Sequence, residues 1–194
     1  MSSDENDYIE FQVSQADEAL QTIQDYFGRK NDPAGRVRFP RGFIRTAGTH
    51  RGTLPRLGTE AQRRNVAYTL MMTDVLRWLA VRTDLSGTAL SMVVKEGVSL
   101  LGGICEWMTK EGTRGHASRR PYTQRTEKLV ELRVISGDLK EELDWVWDVR
   151  CNAHVHEVTD LEHEKYTRAD YNRALKAYSG LRDALKAYGK NSSA

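Results

Sequence analysis

Apolar residues in this chain recur at helical spacing in segment after segment, and no stretch alternates long enough to read as a strand. That periodicity restricts the fold to an all-α class. The most apolar segment runs from about Thr88 to Glu111 and carries Leu90, Val93, Val94, Val98, Leu101, Ile104, Cys105 and Met108. Its place is at the centre of a bundle. Gly97, Gly102 and Gly103 interrupt it, and each costs a helix up to about 1 kcal/mol relative to alanine. Close backbone approach by another helix, from this chain or from a second subunit, would compensate.

Other segments follow the same logic. Ser14 is positioned to cap a first helix ending at Phe27 before Gly28, with Leu20, Ile23 and Phe27 on one face. A loop of about thirty residues follows, holding three of the four prolines. Thr59 opens a second helix to about Arg82, whose expected buried face is Ala67, Leu70, Met71, Val75, Trp78 and Leu79. After the turn Asp84 to Gly87 and the apolar helix comes a basic loop, GTRGHASRRPY, and a shorter helix from Thr123 to Ile135. Ser136 then starts a helix that carries Arg150 near its end. The last helix spans Thr167 to Tyr188, with Thr167 and Asp170 in capping spacing and a Tyr171, Ala174, Tyr178, Leu181, Leu185, Tyr188 stripe. At 194 residues this is expected to be one domain, an N-terminal helix and basic loop (1–58) leading into a core bundle (59–189).

Charge is distributed unevenly. Residues 1–27 hold seven acids and no Lys or Arg, whereas residues 29–64 hold ten basic residues against Asp32 and Glu60. Arg36, Arg38, Arg41 and Arg45 in that second segment, and Arg119 and Arg120 in the later basic loop, are candidate contacts for RNA phosphates. A solvated loop that pairs with the chain's own acids is the competing reading. Residues 138–164 are acidic, with nine acids against Lys140 and Arg150.

No uninterrupted run of about 18 apolar residues occurs, and the acidic N-terminus lacks the order of a secretory signal, which points to a cytoplasmic protein without a membrane partner. Cys105 and Cys151 are expected to be reduced thiols. There is neither a P-loop nor a nucleophile elbow, and no cofactor is expected.

The stretch WDVRCNAHVHEV, Trp147 to Val158, gathers Arg150, Asn152, His154 and His156. On a continuing helix Arg150 and His154 share a face, while Arg150 and His156 converge only if the helix ends near Asn152 or His154. By residue type alone, an arginine such as Arg150 within an acidic helix is more often an ion-pair partner, here of Asp148 or of an acid one turn back. His154, His156 and His163 with nearby acids also allow a metal reading, although no recognised zinc spacing is present.

With KLVELRVISGDLKEELDWVWDVRCNAHVH and the terminal amphipathic helix, residues 88–188 resemble the HEPN superfamily, whose signature is an arginine and a histidine separated by four to six residues. Arg150 and His156 match it with five between them. Cys151 stands where family members commonly carry a polar residue, and Asn152 follows. Either Asn152 takes that role from a shifted register or the site is altered.

The resemblance implies a HEPN-like helical bundle, with the arginine-rich loop after its first helix, that forms a homodimer and joins two Arg/His motifs into a metal-independent endoribonuclease site. His156 would be the base for an RNA 2′-hydroxyl and Arg150 the phosphate holder, leaving 2′,3′-cyclic phosphate and 5′-hydroxyl ends. Asn152 and His154 are the lesser candidates. Toxin, phage-defence or RNA-processing roles follow from the family, as does control by an antitoxin. An inactive module binding RNA or a nucleotide, and a structural helical dimer, are the alternatives.

Overall fold

The computed structural model describes residues 3–152, 162 and 164–191. Among the described residues there are seven α-helices, one short 3-10 turn and no strand, so the chain is all-α. It separates into two compact units, Met1–Arg41 and Gly42–Ala194.

In the first unit, α1 (Ser3–Phe27) starts well before the expected Ser14 cap. Asp4 and Glu5 lie in its first turn, where carboxylates favour the positive end of the helix dipole. The apolar spacing also runs back through Ala16, Val13 and Ile9. The helix stops as expected at Gly28, whose φ of 55° suits a left-handed cap. Asp32 then caps a 3-10 turn at Pro33–Gly35, accepting from Ala34 N at 2.9 Å. Gly35 lies against the Phe27 ring, which an added Cβ would meet at 2.9 Å.

The second unit contains a helix that its residues hide. In α2 (Ala47–Thr53), Gly48, Thr49, Gly52 and Thr53 are weak helix formers, so the expected long loop is interrupted by an element that propensity argues against. Thr46 caps it by accepting from Thr49 N at 3.1 Å, and packing on the next helix holds it in place. That next helix, α3 (Glu60–Arg82), opens with a reciprocal capping box between Thr59 and Gln62. Its buried residues are Val66, Ala67, Leu70, Thr73, Asp74, Leu76 and Ala80. Met71, Val75, Trp78 and Leu79 are only half-buried, because α2 and α4 (Gly87–Gly112) meet α3 on a face rotated from the most apolar one.

α4 is central, as its composition predicts, and packs against α3, α5 (Tyr122–Glu131), α6 (Gly137–Cys151) and α7 (Arg168–Asn191). It is the one helix among the described residues long and apolar enough to cross a membrane, yet half of its most apolar window is buried within the bundle. α5 ends earlier than expected. Arg133 turns the chain at φ 56°, and Val134 N donates to Leu129 O at 2.9 Å. α6 is capped by Ser136, and α7 by Asp170, which accepts from Thr167 N at 2.8 Å. The Tyr171, Ala174, Tyr178, Leu181 and Leu185 stripe of α7 is buried in the same core as Val98, Leu101 and Leu143.

Candidate functional site

Leu143, Val146 and Val149 bury one face of α6, and Arg150 follows on the edge of that face. Gly102 lets α6 come close to α4: a Cβ there would stand 2.9 Å from Arg150 Cβ and 3.3 Å from the Val146 carbonyl. The Arg150 stem is thereby laid along α4, with the side chain still 31% exposed. Its guanidinium sits 3.0 Å from Glu106 Oε2 and 4.8 Å over the Trp147 ring. The carboxylate comes from another helix and is neither Asp148 nor an acid one turn back.

Around this pair the three helices build a stack. Trp147 lies parallel to Tyr122, with centroids 4.5 Å apart, and Arg125 lies over the other ring at 5.7 Å. Glu106 Oε1 is 4.0 Å from the Arg125 guanidinium, so two arginines flank one carboxylate. Arg125 is buried, its Nε has no partner, and one of its terminal nitrogens donates to Arg120 O at 2.9 Å. Desolvation by burial pulls its pKa below the usual arginine value. The later basic loop is thus linked to Arg150 through Arg125 and Glu106, and its Arg119 and Arg120 are exposed.

Asn152 is the C-cap of α6, its N–H bonded to Asp148 O at 3.1 Å. Beyond it on the chain, the Tyr166 hydroxyl donates to Glu162 Oε1 at 3.1 Å, and Glu162 pairs with the buried Lys95 of α4. Burial, followed by the Glu162 charge, pushes the Tyr166 phenol up to about 12. His154, His156 and His163 lie outside the described residues, and so does the metal reading of those histidines.

The first group of arginines divides. Arg36, Arg38 and Arg41 are exposed in the first unit, where Arg36 reaches Asn31 Oδ1 at 3.1 Å. Arg45, in the second unit, is committed to the buried Asp74: its backbone N, Nε and a terminal nitrogen donate at 3.0, 3.1 and 2.7 Å. His50 Nε2 approaches the same carboxylate at 2.9 Å. Burial lowers the His50 pKa by more than the Asp74 hydrogen bond raises it. For Asp74, burial acts upward, but the Arg45 hydrogen bonds and charge together with His50 hold it below the usual range. Asp74 continues the Ala67 and Leu70 face at steps of seven and four, and an acid on that stripe was the sequence signal for this cluster.

No protein-family model, curated protein or solved structure matches this chain.

Proposed function

We propose that the protein is a metal-independent endoribonuclease of HEPN type that acts as a homodimer in the cytoplasm. The observation that carries this reading is the setting of Arg150, a partly exposed side chain at the end of α6 that shares the Glu106 carboxylate with a second arginine, Arg125. Two cations over one anion leave a positive excess, suited to a phosphate and to the charge that develops on its oxygens during transfer. His156 supplies the base and Arg150 the phosphate contact, while Arg119 and Arg120 guide the strand. An antitoxin-like regulatory partner fits the toxin or defence setting.

A catalytically silent RNA- or nucleotide-binding module is the second reading. The Cys151 departure favours it, since the residue after Arg150 lacks the family's polar group and Asn152, one position on, is the C-cap of α6. A structural helical dimer is the third reading; the α7 stripe, Gly97 and Gly102 already pack within the chain, which leaves it fewer surfaces to use.

The test is cleavage of end-labelled, mixed-sequence RNA in excess EDTA, with product ends mapped. Wild type should leave cyclic phosphate ends, and Arg150→Ala should be slower by about a hundredfold or more. Its folding stability should fall by less than about 1 kcal/mol, since the Arg150–Glu106 pair is partly solvated. His156→Ala should likewise lose cleavage while staying folded. A folded wild type that cleaves none of a varied set of RNAs would move the protein to the binding-module reading.

A further inference from the structure

Between α3 and α4 lies an open groove of about 430 Å³, within the size range of small-ligand sites. Gln62, Asn65 and Thr69 form its α3 wall at steps of three and four, and Ser99, Gly103 and Trp107 form its α4 wall at steps of four. The helices run antiparallel here, since Trp107 packs beside Gly58 at the start of α3. Arg150 enters midway, its Nε 4.0 Å from the position of a Cβ on Gly103. The absent Gly103 side chain is therefore part of the opening beside the guanidinium.

Gln62 Oε1 accepts from Thr59 N at 2.7 Å and Arg150 pairs with Glu106, but other hydrogen-bonding groups of this groove keep capacity to spare. Asn65 is exposed, and its carboxamide makes no hydrogen bond among the described residues. The Thr69 and Ser99 hydroxyls donate back to Asn65 O and Lys95 O, at 3.1 and 2.8 Å, and so remain able to accept. The Trp107 indole N–H is buried without an acceptor. Val66, Leu100 and Ile104 give the groove an apolar floor, on which an amide, two hydroxyls and an indole stand along a space that ends at a cation. Amides and hydroxyls match the donor and acceptor edge of a base, an aromatic wall matches its face, and the guanidinium matches an adjoining phosphate.

We infer that this groove seats one nucleobase of single-stranded RNA, next to the phosphate that Arg150 holds; the inference rests on the ribonuclease reading and assigns its substrate recognition. Gly103 keeps the seat open, Asn65 contacts the base edge, and Trp107 walls the ring.

Calorimetric titration of the full chain with the four ribonucleoside 3′-monophosphates and with inorganic phosphate tests it. At least one nucleotide should bind tenfold or more tighter than phosphate. Gly103→Leu and Asn65→Ala should each abolish that preference while phosphate binding persists, and Arg150→Ala should weaken both. Asn65 is on the surface, so its variant carries the test if the leucine variant fails to fold. Nucleotides binding no tighter than phosphate, or a preference that survives both substitutions, would overturn the assignment. RNA cleavage by the same wild-type preparation separates the two ideas. Cleavage without nucleotide preference removes the groove and keeps the ribonuclease, whereas preference without cleavage keeps the groove and removes the ribonuclease.

Discussion

Asp74 stays ionised in a buried position because three Arg45 donors and the His50 ring surround it. Asp74→Ala leaves His50 unpaired inside the protein and releases the 42–54 segment from α3, at an expected cost of about 2 kcal/mol. Both titrating groups bind protons less readily folded than unfolded, so the unfolded chain takes up the excess as pH falls and stability declines. The His50 contribution is intact above its unfolded value of 6.5 and diminishes as pH falls from there toward its lower folded value. The Asp74 contribution is present above 3.8 and disappears as pH falls through its depressed folded value. Urea midpoints measured from pH 7.5 down to 4 should fall, and His50→Gln should flatten the part just below 6.5. An unchanged profile in that variant would assign the slope to other groups.

At the level of elements, three glycines in α4 make opposite predictions. A Cβ at Gly97 would overlap the Tyr171 ring, so Gly97→Ala should destabilise by about 2 kcal/mol despite the better helix former. Gly102→Ala should also destabilise, by pushing Arg150 and the α6 backbone away. Gly103 meets nothing nearer than Arg150 Nε at 4.0 Å, and Gly103→Ala should stabilise by up to about 1 kcal/mol. Thermal midpoints of the three variants would check the signs. The sequence revealed α3, α6 and α7 well because Thr59, Ser136 and the Thr167–Asp170 pair are local signals read within one turn. It concealed α2, whose glycines and threonines form a helix only once α3 is present to pack against it. Glu106 as the partner of Arg150 was equally concealed, since local spacing cannot show which acid a neighbouring helix presents.

For the molecule as a whole, the sequence showed where charge accumulates but not how each charge is used. Arg45 turned out to hold a fold contact, while Arg36, Arg38 and Arg41 remain exposed. Reversing those three to glutamate should weaken RNA binding and lower its dependence on salt, by about 0.7 in the logarithmic slope for each lost single-strand phosphate contact. Anisotropy titrations from 50 to 250 mM salt would measure this, with the salt range taken as roughly that over which phosphate contacts are resolved. Equal affinity and slope in the variant would exclude these arginines from the RNA path.

Gly103 also bears on how the chain could evolve. A selection for heat resistance alone would favour an alanine there, since it firms the central helix without steric conflict. Each such gain would narrow the space beside Arg150, so a lineage that retains glycine at this position through warm habitats would be under selection for access to that space.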